Sequence, residues 1–309
     1  MPSRRYEDLA DSLDRDGFCI WRDLLPHDAI DRHVAAWRAF APKHQQDVPA
    51  RKRSQSSEQR HRAGRAAEEF HQQSSDAGAL WLNQDLQDFA RWRFGTEPFL
   101  RLVGTNIFSV GSHLHSDFLA TAAPDPWERE FRVWGALEDI DPESGPMYLL
   151  AGSHHSVVAS LREEVLATRS DVAEALRAAM QPVTHEQHIA VLRPMGEAMN
   201  EHLRRRIDEL AIQPATPELR KGDVILFNPG IAHGTDAAER PERTRMAFIA
   251  NVGAMGASFY MPRAYWGALH DHRRPENAVP FEVERGPHGL RVVNYLNTFE
   301  ASLGRPIAA

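Results

Sequence analysis

Residues 221–252 read KGDVILFNPGIAHGTDAAERPERTRMAFIANV, and this stretch decides the fold. A run of Val, Ile, Leu and Phe ends on Pro229-Gly230, His233 follows the turn, and a second apolar run begins at Met246. Runs this short, rich in β-branched and aromatic residues and separated by Gly or Pro, predict strands rather than helices. The same texture recurs in FLRLVGTNIFSV (99–110), EFRVWGALEDI (130–140) and PMYLLAG (146–152).

Outside these runs the period changes to that of helices. YEDLADSL, PHDAIDRHVAAWRAF (26–40) and NQDLQDFARWRFG (83–95) carry amphipathic spacing. Gly17 and Gly95 act as stops, Asn83 as a cap, and Pro26 takes the first turn. LREEVLATRSDVAEALRAAM (161–180) and PMGEAMNEHLRRRIDELA (194–211) predict helices inserted among the strands. Residues 42–75 are polar, with a basic cluster at Arg51, Lys52 and Arg53 that reads as a solvated segment. The expected organisation is one domain over 1–309. It comprises a helical region over 1–98, a β core over about 99–253 interrupted by helices at about 158–212, and a C-terminal wrapping segment over 254–309. Helices outside and many short strands inside make the fold mainly β with added helices, a barrel or two-sheet jelly roll.

Composition narrows the function classes. With 309 residues, 42% hydrophobic, 7 Trp and 14 Phe, the chain has ample material for a core. A net charge of −7 supplies no positive field for nucleic acid or an anionic membrane. Its single cysteine, Cys19, excludes an internal disulfide and a Cys-rich metal site and fits a reducing compartment. No apolar run resembles a signal sequence or a membrane span, so the expected location is cytoplasmic.

HLHSDF (113–118) carries the chemistry, and imidazole plus carboxylate admits two readings. With 16 His in the chain, chance alone supplies about one His-x-Asp pair, so the pair must be judged by its company. A zinc hydrolase loop would use His113, His115 and Asp117 and then a further His, where this chain has Phe118. An iron site needs only His115 and Asp117, on one face of a strand end and about 7 Å apart along the chain. A second histidine then completes a two-His-one-carboxylate triad with open positions, and His233 is the candidate. A non-catalytic, ligand-binding jelly roll is the third class.

Two residues after His233 stands Thr235, on the same face, and Arg245 opens the strand that follows. A guanidinium grips a carboxylate through paired hydrogen bonds, and a hydroxyl can add a third. Arg243 competes with Arg245 for that role, without an apolar run directly after it.

HSDF (115–118), WGALEDIDPESGPMYLLAGSHH (134–155) and residues 221–252 together resemble the phytanoyl-CoA dioxygenase family of Fe(II)/2-oxoglutarate-dependent oxygenases. The similarity runs in patches over roughly residues 6–252, and the run HSDF and the PE-x-GP-x-Y turn have the texture of ectoine-hydroxylase-like members. Those members differ in having Trp before the motif histidine and an acidic, aromatic stretch where this chain has LATAAPDPWERE. The resemblance implies a double-stranded β-helix (jelly roll, cupin-like) core. It implies Fe(II) on His115, Asp117 and His233, with 2-oxoglutarate held by Arg245 and Thr235. Trp134 matches a family tryptophan beside the co-substrate, and Asn106 is carried over from the strand before the motif. It further implies O2 as co-substrate, a small-molecule metabolite or natural-product intermediate as substrate, and hydroxylation with succinate and CO2 as co-products. Because Asp117 is present, halogenation is disfavoured.

Overall fold

Alternation along Glu130–Ala136 sets the architecture. Phe131 and Val133 point to one face and join a large apolar cluster, whereas Trp134 and Ala136 point to the other and join a second one. In this computed structural model, which describes residues 4–40, 70, 75–107, 109, 112–117, 123–240, 242–266, 272–286, 291–293 and 295–308, that strand is central to a seven-stranded sheet. The strands are β1 (Phe18–Trp21), β2 (Pro98–Asn106), β3 (His115–Ser116), β4 (Ala123–Asp125), β5 (Glu130–Ala136), β6 (Met147–Leu149) and β7 (Val224–Phe227). They continue as β8 (Ala232–Thr235), β9 (Ala247–Ala254), β10 (Ser258–Tyr260), β11 (Ala278–Val279), β12 (Val283–Arg285) and β13 (Arg291–Val293). The large sheet has the order β1-β7-β5-β9-β2-β13-β12, and β3-β8-β6 and β11-β10-β4 form two three-stranded sheets. Inner-face residues Trp134, Ile225, Phe227 and Ala247 of the large sheet pack on Met147 and Leu149 of β6, which closes a jelly-roll core.

Helices cover the outer faces. α1 (Arg4–Arg15), α2 (His27–Phe40), α3 (Ser75–Gly78) and α4 (Gln84–Phe94) cover the large sheet, where Leu13, Trp37, Ala77 and Phe89 share a cluster with Phe131 and Phe248. Gly135 makes that packing possible, because a Cβ there would lie 2.0 Å from the Phe248 ring. The expected caps of α4 are present: Asn83 Oδ1 accepts from the Leu86 amide at 3.0 Å, and Gly95 is left-handed at φ 66°. Cys19 is buried in the same cluster.

α5 (Ala159–Thr168), α6 (Ser170–Ala178) and α7 (His185–Glu209) cover the β3-β8-β6 sheet through Leu161, Leu176, Met199 and Ala232. Sequence spacing started the last of these at Pro194, but the helix begins at His185 and carries Pro194 inside it. The start is set by a capping box, Thr184 with Gln187, and an internal proline removes one donor without ending a helix packed along its length.

The segment after residue 254, expected to wrap and without a clear period in sequence, supplies four short strands, α8 (Pro262–Tyr265) and α9 (Tyr295–Leu303). Its strands are two or three residues long, too short for a period to show in sequence. One of them, β13, pairs parallel to β2 at Val292 and Leu100. The buried Arg263 fastens this segment to the inserted helices. It donates to the carbonyls of Ala179 and Gln181 at 2.9 and 2.8 Å, and to those of Ser302, Leu303 and Arg305 at 3.0, 3.1 and 2.7 Å. No helix among the described residues is long and apolar enough to cross a membrane.

Three buried histidines away from the core of the jelly roll are expected to make the fold acid-labile. Burial pulls His33, His188 and His154 down to about 4, the last helped by its neighbour His155. Each is neutral in the folded chain while the unfolded chain takes up protons below about 6.5, so stability is full above that pH and falls as pH drops toward 4. The expected loss is about 2 kcal/mol per histidine at pH 5. Urea unfolding at pH 7.5 and pH 5 measures it, and equal unfolding free energies would refute it.

Candidate metal centre

β3 and β8 pair antiparallel with His115 directly opposite His233, which brings residues far apart in sequence into one cross-strand pair. The two rings lie 4.4 Å apart, centroid to centroid. Asp117, two residues beyond His115, puts Oδ1 at 3.5 Å from Nε2 of His115 and 3.9 Å from Nε2 of His233. All three ligand atoms fall within 4.8 Å of one another, and among the described residues this is the one such cluster of three or more His, Cys, Asp or Glu.

Backbone carbonyls orient both imidazoles. Nδ1–H of His115 donates to the His113 carbonyl at 2.7 Å, and that of His233 to the Ile231 carbonyl at 3.1 Å. Each bond fixes the tautomer and leaves an Nε2 lone pair turned toward Asp117. His233 is buried, and burial pushes it down to about 4, so it is neutral at physiological pH. Burial also works against the charge on His115, but the Asp117 carboxylate outweighs it and raises that pKa. For Asp117, burial is outweighed by Arg132 and the two histidines, which hold the carboxyl well below the usual range. Two imidazole Nε2 atoms, free of protons once a metal binds, and one carboxylate oxygen converge in the facial arrangement that suits ferrous iron with open positions.

Behind Asp117 lies a charge ladder that sequence reasoning missed. Nε of Arg132 donates to Asp117 Oδ2 at 3.0 Å, and the same guanidinium bonds Glu130. Glu130 in turn accepts two bonds from Arg101, at 2.7 and 2.8 Å. Arg101 and Glu130 have fully buried side chains and Arg132 is 3% exposed. The available signal was phase: Glu130 and Arg132 share the inward face of β5 with Trp134.

Arg245, just before β9, is buried, and its guanidinium carbon stands 5.7 Å from the Trp134 ring centroid. It donates to the Gly145 carbonyl at 3.2 Å, and its Nε has no partner. Burial lowers its pKa to about 10, which still leaves it charged at neutral pH, a buried cation with no anion beside it among the described residues. Trp134 shares a cluster with Phe227, whose ring lies 5.0 Å from His233, so the cation and the histidines border one interior. Arg243 is instead at the surface, paired with Asp141.

The remaining candidates divide. Thr235 Oγ1 accepts from the Ser112 amide at 2.7 Å and lies 3.1 Å from Ser112 Oγ, so its hydroxyl fastens the strand that carries His115 onto β8. Asn106 ends β2 opposite Ala247, half-buried. His113 is exposed and serves the centre through its carbonyl. His154 and His155 stand on a helical turn with centroids 3.9 Å apart, both Nε2 atoms within 3.2 Å of the Asp14 carbonyl. Phe118 and the cluster at 51–53 lie outside the described residues.

The family model for phytanoyl-CoA dioxygenase (PhyH) matches residues 13–247. Comparison with curated proteins gives no match. Among solved structures, the chain is similar to EctD from S. alaskensis with 2-oxoglutarate and 5-hydroxyectoine, at 18% identity over 94% of this chain and 87% of that one, TM-score 0.53. It is also similar to the non-heme alpha ketoglutarate dependent epimerase SnoN from nogalamycin biosynthesis, at 15% identity over 94% and 98% of the two chains, TM-score 0.51. A third likeness is to the non-heme monooxygenase ThoJ in complex with Ni, at 18% identity over 96% of both chains, TM-score 0.51. At these identities the likeness is one of fold.

Proposed function

Because the chain belongs to the phytanoyl-CoA dioxygenase family, we propose that it is a non-heme Fe(II)/2-oxoglutarate-dependent dioxygenase that hydroxylates an unactivated C–H bond of a small-molecule metabolite or natural-product intermediate. The observation that carries this reading is the pairing of the His115, Asp117 and His233 cluster with a buried guanidinium whose Nε lacks a partner. The donor set fits ferrous iron: two Nε2 lone pairs and one carboxylate oxygen converge, and their other atoms are already engaged. Arg245 fits a dicarboxylate, since a buried cation without a counter-charge is costly and a carboxylate can satisfy it through two parallel bonds.

Iron and 2-oxoglutarate, when bound with O2, supply an oxidant strong enough to break such a C–H bond, with succinate and CO2 as co-products. The chain's own part is positional. His115, Asp117 and His233 hold the metal from one side, and Arg245 fixes the far carboxylate of the keto acid. Trp134, beside the Arg245 guanidinium, and Phe227, beside the His233 ring, put apolar surface between them. The small-molecule substrate then needs only to present one C–H bond to the open side. The epimerase activity printed for SnoN belongs to that protein, and hydroxylation is the reading adopted for this chain.

Anaerobic titration with Fe(II) and 2-oxoglutarate tests the cofactors without knowledge of the substrate. A weak visible charge-transfer band that requires both additions is expected. A protein that binds Fe(II) and shows no new band with 2-oxoglutarate would refute the reading.

A further inference from the structure

We infer that Arg132 is a positioning residue for the metal centre: it occupies one oxygen of Asp117 and so presents the carboxylate to the metal through a single oxygen. The two oxygens of Asp117 have different neighbours. Oδ1 faces the Nε2 atoms of both histidines, at 3.5 and 3.9 Å, while Oδ2 takes the Nε–H of Arg132 at 3.0 Å. A carboxylate free to rotate can chelate with both oxygens and take up a fourth coordination position. Holding Oδ2 on a guanidinium removes that option and keeps three positions for the keto acid and oxygen.

Arg132 is itself immobilised. Its guanidinium bonds Glu130, and Glu130 is gripped through both oxygens by Arg101, so a ladder from β2 through β5 ends on Asp117. All three side chains are buried, and the alternating signs leave no charge in the row without a neighbour of opposite sign. The fork of arginine is required, since the residue must reach Asp117 and Glu130 together from one planar group; an ammonium has the charge but not the geometry. Placing a cation behind an iron ligand also withdraws electron density from the carboxylate. The neighbouring Glu130 offsets this, which explains why the ladder carries a buried acid between two arginines.

The inference rests on the metal reading above, and its test separates the two. Wild type, Arg132→Met and Arg132→Lys are titrated anaerobically with Co(II), and the metal-minus-apo infrared difference is recorded, with circular dichroism as the check of folding. Wild type is expected to show the wide separation of carboxylate stretches that one-oxygen binding gives. Arg132→Met is expected to bind Co(II) about 10- to 100-fold more weakly, the usual cost of losing a partner behind a ligand, with the separation narrowed. Arg132→Lys should fall between. A folded Arg132→Met that binds Co(II) as tightly as wild type with unchanged bands would overturn the inference and leave the metal reading standing. Should Arg132→Met fail to fold, the same two readouts on Arg132→Lys decide. If wild type binds no Co(II), the metal reading falls and this inference with it.

Discussion

Asp117→Ala is expected to abolish 2-oxoglutarate turnover, taking succinate formation to background and removing the Fe(II)/2-oxoglutarate band. Loss of a partner behind a ligand commonly costs 10- to 100-fold, so loss of the ligand itself should cost more than about 100-fold. The change also strips Arg132 of the acceptor at 3.0 Å and leaves a nearly buried cation short of one acidic partner. Breaking a buried pair from one side destabilises by about 3–5 kcal/mol, reduced here because Asp117 is 29% exposed. Asp117→Asn separates the two effects, since its amide oxygen can still accept from Arg132 while the ligand charge is gone. Full activity in either variant would remove Asp117 from the centre.

Arg245→Met should produce opposite changes in function and stability. The guanidinium is buried with an unpartnered Nε and a pKa lowered to about 10 by burial alone, so the resting fold bears its cost against a single carbonyl bond, to Gly145, and the Trp134 ring. A methionine of similar length removes that cost, and thermal unfolding is expected to move upward. Binding of 2-oxoglutarate should weaken by about 2–5 kcal/mol, roughly 30-fold or more, because a dicarboxylate would enter the site without its counter-charge. KM for 2-oxoglutarate and the unfolding midpoint, measured on one preparation, check both signs. An unchanged KM would assign the anchor elsewhere. Arg243→Met, at a surface ion pair with Asp141, should change neither appreciably.

What the sequence disclosed, and what it hid, follows from how local each signal is. His115, Asp117 and His233 were legible because a His-x-Asp pair and a Pro-Gly turn before a histidine are short patterns, and the strands bearing them are apolar runs. That Arg245 turns inward and Arg243 does not was legible for the same reason, since one of them opens an apolar strand. The ladder was not. Arginine and glutamate in EFRVW share a phase with Trp134, but nothing local shows that Arg101, twenty-nine residues before Glu130, faces them. Nor does any residue type reveal that the His113 and Ile231 carbonyls orient the two imidazoles, because every residue has a carbonyl. Thr235 shares the phase of His233 as expected, but phase alone does not reveal that Ser112 takes up its hydroxyl. At the C-terminal end the strands are shorter than the window in which alternation can be recognised, so β13 was invisible before its pairing with β2.

The arginine at position 263 binds five acceptors, and every one is a main-chain oxygen. Such a clasp is indifferent to the side chains at 179, 181, 302, 303 and 305, so that their own packing, and not this clasp, sets what can stand there. The burden of invariance falls on one codon alone, and chains that keep this clasp should preserve that arginine amid otherwise unrelated flanks.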